Sequence, residues 1–79
     1  MRIIGEIPHT EMKITLFSWN NKYIIKLDKA GFEQTFKVPE FDLIHEDQLH
    51  QLIDEIFLKE VMSRFEEMEK SLFEALQRT

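Results

Sequence analysis

The chain has no cysteine, two glycines, two prolines and one tryptophan among its 79 residues. Without cysteine there is no disulfide framework, no thiolate metal site and no sulfur nucleophile; any metal would fall to histidine and carboxylate. Two isolated glycines, Gly5 and Gly31, cannot build a phosphate-cradling glycine-rich loop. No apolar run approaches the roughly 18 residues that span a bilayer. The start, Met1-Arg2-Ile3-Ile4-Gly5-Glu6, lacks the long apolar stretch of a secretory signal, so the expectation is a cytoplasmic protein away from membranes. Low-complexity tracts and solenoid-period repeats are also missing. What remains is 43% hydrophobic and 32% charged, the composition of a globular chain. It reads as a single domain over 1–79, small enough to bury only about 60–65% of its unfolded surface.

The net charge of −5 is unevenly placed. Residues 1–45 carry six basic and six acidic side chains, whereas residues 46–79 carry four basic and nine acidic ones. The C-terminal part should therefore repel duplex nucleic acid and anionic membrane.

The N-terminal part, 1–38, reads as an antiparallel β-meander in the order 1-2-3-4. From Glu11 to Lys29 apolar residues alternate with period two, interrupted at Asn20-Asn21, where asparagine tolerates the positive φ of a two-residue hairpin turn. Folding there sets Trp19 opposite Lys22, Leu16 opposite Ile25 and Ile14 opposite Leu27, which collects Met12, Ile14, Leu16, Tyr23, Ile25 and Leu27 on one face. A four-residue turn Asp28-Lys29-Ala30-Gly31 would set Leu27 opposite Phe32, Tyr23 opposite Phe36 and Lys26 opposite Glu33. A loop Pro8-His9-Thr10-Glu11 would set Ile3 opposite Leu16 and Glu6 opposite Lys13. Gln34 falls on the apolar face, which suits an outer strand, and Pro39 ends strand four because it has no N–H for the ladder.

After a connector over 39–45, residues 46–78 contain neither glycine nor proline and read as helix. Glu46 and Asp47 suit its N-terminus, Gln48 stands at capping-box distance from His45, and Ile44 with Leu49 has hydrophobic-staple spacing. Glu55–Lys59, Glu60–Arg64, Glu66–Lys70 and Glu74–Arg78 are all spaced i,i+4. The apolar stripe changes direction partway, from Leu49, Leu52, Ile53 and Ile56 to Leu58, Val61, Met62, Phe65, Leu72 and Leu76. No residue at 57–60 forms turns, so a continuous helix, straight or bent, is favoured over two helices. The fold class is then α+β: a four-stranded meander with one face covered by a long C-terminal helix. A helix over 46–78 would be about 50 Å long and would overshoot the sheet. Its second stripe (Leu58, Val61, Met62, Phe65, Met68, Leu72, Phe73 and Leu76) is expected to form a homodimer interface. The alternative is a bend that lays this stripe back on the chain's own sheet.

No catalytic constellation stands out. His45 and His50 are five apart and do not share a helical face; Glu46 with His50 offers two ligands where a metal site needs three or four. His9 sits in a loop, and Ser18, Ser63 and Ser71 have no base at a telling spacing. No cofactor or metal is expected, and the chain reads as a non-catalytic interaction or regulatory module, with an unidentified protein partner left open. The outer sheet face should hold an apolar patch of Ile4, Phe17, Trp19 and Ile24 among lysines. That patch packs under its own lysine stems, binds a protein, or, as the third reading, stacks single-stranded nucleic acid on Phe17 and Trp19 with Lys22 and Lys26 at phosphates. The face's small positive charge argues against the last.

The stretch Lys13-Ile14-Thr15-Leu16-Phe17-Ser18-Trp19-Asn20-Asn21-Lys22-Tyr23-Ile24-Ile25-Lys26, followed by Glu33-Gln34-Thr35-Phe36-Lys37, resembles a group of small uncharacterised bacterial proteins. The resemblance runs from Met12 onwards and implies a free-standing bacterial protein; it implies no activity, ligand or catalytic residue.

Overall fold

Asn20 and Asn21 both take left-handed backbone conformations, φ 54° and 62°, the requirement of a two-residue turn whose twist matches that of the strands. They join β2 (Lys13–Trp19) to β3 (Lys22–Lys29) in the computed structural model, which describes residues 1–43 and 45–79. The register is the one the alternation demands: Trp19 faces Lys22, Leu16 faces Ile25 and Ile14 faces Leu27. With β1 (Arg2–Ile7) and β4 (Phe32–Pro39) on either side, the strands form one open antiparallel sheet in the order β1-β2-β3-β4.

Two registers differ from the sequence expectation. The β3–β4 turn has two residues instead of four, because Ala30 joins Gly31 at positive φ, 50° and 85°. Lys29 therefore pairs with Phe32, Leu27 with Gln34 and Ile25 with Phe36. Shifting by two keeps every side chain on its expected face. Lys26 now stands opposite Thr35, and its ammonium reaches Glu33 diagonally at 3.6 Å.

The β1–β2 difference reverses the faces of the residues before Gly5. Ile7 pairs with Ile14, Glu6 with Thr15 and Gly5 with Leu16, which keeps the expected faces, but a bulge between Ile3 and Gly5 then puts Ile3 opposite Phe17. One extra residue in a strand inverts the side-chain alternation beyond it. Ile4 consequently packs against the core, while Ile3 goes to the outer face and is 65% exposed.

The helical region is the main correction. It is two helices, α1 (Gln48–Leu52) and α2 (Glu55–Gln77), and not one continuous helix. Ile53 leaves helical geometry at φ −91°, ψ 68°, and Asp54 is extended. Asp54 then starts α2 by accepting from the Phe57 N–H on its Oδ1 at 2.9 Å, the bond by which an N-cap satisfies an otherwise orphaned donor. This break settles the phase slip: Leu49 and Ile53 on one side of it, and Val61 and Phe65 on the other, all enter the same core as Met12, Ile14, Leu16, Ile25 and Leu27. Leu52 and Ile56, expected beside Leu49, are exposed. At the start of α1 the Gln48 side chain does reach back, its Oε1 accepting the His45 N–H at 3.2 Å. The proposed staple involves Ile44, which lies outside the described residues.

α2 runs along β4 in the opposite direction. Phe57 meets Phe36 edge-on with ring centroids 5.1 Å apart, Val61 and Arg64 stand at Gln34, and Met68 and Leu72 stand at Phe32. At about 1.5 Å per residue its 23 residues span roughly 34 Å, so its last turns pass beyond the Ala30–Gly31 turn.

Candidate functional site

The expected helical stripe is divided between core and surface. Val61 and Phe65 are 0% and 3% exposed within a single chain, so they belong to the core and cannot also form an exposed stripe. Leu58, Met62 and Met68 pack against that core. The bend that returns the stripe to its own sheet is therefore what happens over 58–68, because the Asp54 break turns this part of α2 towards the core. Leu72, Phe73 and Leu76 have no such cover and are exposed at 50%, 62% and 61%.

The transition between the two parts is a groove of about 660 Å³ between α2 and β4, lined by Phe32, Gln34, Arg64, Met68 and Leu72 among others. Its apolar floor continues past the hairpin turn to Ala30, Phe73 and Leu76. The polar side is organised by Gln34. Its Nε2 donates to the Val61 carbonyl at 2.9 Å, and its Oε1 accepts from Arg64 at 3.3 Å. The Arg64 guanidinium also lies 5.8 Å from the Phe36 ring centroid and 4.0 Å from Glu60. The amide placed on the apolar face thus reaches helix backbone, where an edge position had suggested water.

On the outer face, Phe17, Trp19 and Ile24 stand together in a cleft of about 230 Å³ with Met1, Lys26 and Lys37. Ile4 is absent from this face for the reason given above. Ile24 is 5% exposed and Thr15 equally covered, so the central strands are already shielded by their neighbours' side chains. Trp19, at the end of the sheet, remains half exposed, and Lys22 pairs directly across from it.

At the same end, Arg2 meets Glu46 at 3.5 Å and the Ser18 hydroxyl donates to Glu40 at 3.5 Å. Tyr23 lies among these groups. Partial desolvation raises its pKa above the ordinary phenol value, the negative charges of Glu40 and Glu46 raise it further, and Arg2 opposes them. His45 and His50 are exposed, as are Ser63 and Ser71. His9 uses Nδ1 to accept the Glu11 N–H at 3.1 Å within its loop. Among the described residues no three histidines or carboxylates gather where they could hold a metal ion, and no helix is long and apolar enough to cross a membrane.

Sequence reasoning missed Ile3, which the bulge exposes, and Phe41, which is 87% exposed in the short 3₁₀ turn Glu40–Asp42 after β4. It also missed Phe32 and Gln34 as walls of the α2 groove. Gln34 on an otherwise apolar face was the available signal, since a core-side amide requires a partner. No protein-family model, curated protein or solved structure matches this chain.

Proposed function

We propose that this protein is a non-catalytic interaction module that works as a homodimer through the end of α2. The observation that supports it is the cluster of Leu72, Phe73 and Leu76, three large apolar residues exposed on one chain, Leu72 and Leu76 continuing the core stripe and Phe73 flanking it. Contiguous apolar surface of this kind marks an interface, and a second copy is the simplest partner for it. Of the expected stripe, Leu72, Phe73 and Leu76 are left for this interface; Met68 packs on the core, and the buried Val61 and Phe65 serve the monomer. Sedimentation at low micromolar concentration should give twice the chain mass, and Leu72→Glu or Leu76→Glu should return it to one chain without unfolding it. A wild-type protein that sediments as a monomer, unchanged by either substitution, removes the reading.

A second reading rests on Trp19, half exposed at the end of the outer cleft beside Phe17 and near Lys22, Lys26 and Lys37. It is single-stranded nucleic-acid binding by base stacking, with lysines at the phosphates. Quenching of the one tryptophan by oligonucleotides, reversed by salt, would support it, and no quenching at low salt ends it.

A further inference from the structure

The groove beside α2 opens onto a free sheet edge. Among the described residues β4 is the last strand of the sheet and pairs with β3 alone. A two-residue turn is closed by a residue pair that exchanges both N–H···O bonds, and here that pair is Lys29–Phe32. Alternation then directs the backbone groups of Phe32, Gln34, Phe36 and Val38 to β3 and those of Glu33, Thr35 and Lys37 outward. The bond from the Glu40 N–H to the Asn21 carbonyl, at 3.1 Å, keeps the same parity. The opposite edge, β1, is interrupted by its bulge, whereas the β4 register is unbroken from Phe32 to Pro39.

We propose that β4 pairs antiparallel with β4 of a second copy about a two-fold axis through Thr35, joining the two sheets into one of eight strands. This rests on the reading of the protein as a homodimer, and it sets the α2 end of each copy, at the Ala30 end of β4, beside the Val38 end of the partner's β4 rather than beside the partner's α2 end. Charge selects the register. An axis through Thr35 sets Glu33 opposite the partner's Lys37 and Lys37 opposite the partner's Glu33. An axis through Glu33 or Lys37 sets like charges face to face, and one through Gln34 or Phe36 sets one of the two charges against Thr35 and the other against the uncharged Gly31 or Pro39. Directly opposed unlike charges stabilise a strand pair and like charges destabilise it.

The same register completes the groove. On the core face, Gln34 comes opposite the partner's Phe36 and Phe32 opposite the partner's Val38. The aromatic pair Phe36–Phe57 of one copy thus supplies an apolar wall to the groove of Phe32, Met68 and Leu72 in the other. Leu72 connects this edge to the exposed end of α2.

The absence of cysteine makes the test direct. Residues facing each other in a hydrogen-bonded antiparallel pair have Cα atoms about 5.5 Å apart, inside the roughly 4.4–6.8 Å range of disulfides. Thr35→Cys at low micromolar concentration under mild oxidation should cross-link into a covalent dimer. Thr10→Cys, in the loop between β1 and β2, should stay single, and adding Leu72→Glu should suppress the Thr35→Cys product. Independently, Lys37→Glu should weaken dimerisation about tenfold by setting like charges opposite each other in both pairs, and Glu33→Lys with Lys37→Glu should restore it. A dimer in which Thr35→Cys cross-links no better than Thr10→Cys overturns the edge pairing and leaves the homodimer standing. A wild-type chain that sediments as a monomer overturns both.

Discussion

The Gln34 side chain donates to the Val61 carbonyl at 2.9 Å, tying the edge strand of the sheet to the middle of α2. Val61 is wholly buried and Arg64, one helical turn further on, returns a hydrogen bond to the same amide. This clamp aligns α2 with β4 and so holds the apolar groove open at the sheet edge.

Gln34→Ala removes both bonds, and a side chain–backbone hydrogen bond contributes about 1 kcal/mol net. The unfolding free energy from urea titration should fall by roughly that amount. Gln34→Leu should lose less, since its side chain joins Phe32 and Met68. No loss from Gln34→Leu would show that packing, and not the amide, holds α2 in place.

Asp54 separates two accounts of the helical region. As the N-cap of α2, Asp54→Ala should destabilise by about 1 kcal/mol and Asp54→Asn by a few tenths at most. In a continuous helix alanine is the better residue and the same change would stabilise. Denaturant titration of the two variants gives the sign.

The bulge in β1 makes neighbouring isoleucines unequal. Ile4→Lys should cost about 2 kcal/mol or more, because Ile4 packs on the core. Ile3→Lys should change stability by less than about 0.5 kcal/mol, as Ile3 stands on the outer face. An unbulged strand predicts the reverse order, so thermal melts of the pair test the register.

Tyr23 is the one tyrosine, so tyrosinate absorbance reports it alone. Its titration midpoint should lie above the ordinary 10.0. Glu40→Gln should lower the midpoint and Arg2→Ala should raise it. The raised value means that the folded state holds the proton more tightly than the unfolded one. Its contribution to stability is complete below pH 10 and disappears as the pH rises through the folded value. A midpoint at or below 10.0 would place Tyr23 in open water.

How far the fold could be read from the chain depended on the range of the interaction that fixed each element. The β2–β3 register is local: the Asn20-Asn21 turn and two alternating runs leave one arrangement that keeps Leu16, Ile25, Ile14 and Leu27 on a common face. The β3–β4 turn was open between two and four residues, because Ala30 at positive φ carries no sequence signal and both choices preserve the faces. The break at Asp54 had a signal in the capping residue itself. It was hidden by the absence of glycine and proline, and by the fact that a single carboxylate suffices to start a new helix.

The sequence by itself determined a meander with one apolar face, a helical C-terminal region and an acidic half, because periodicity, turn residues and charge are properties of neighbouring positions. Tertiary packing decided which apolar residues that helix keeps for its own sheet. Val61 and Phe65 were assigned to the interface stripe from their spacing, and only the turn at Ile53–Asp54 brings them into the core beside Leu27. It likewise decided that Ile3 and not Ile4 faces outward. A bulge is set by how β1 meets its neighbours across the sheet, and no local pattern encodes a contact between distant strands. The exposed remainder, from Leu72 to Leu76 beside an open β4 edge, is visible only after those contacts have taken their share.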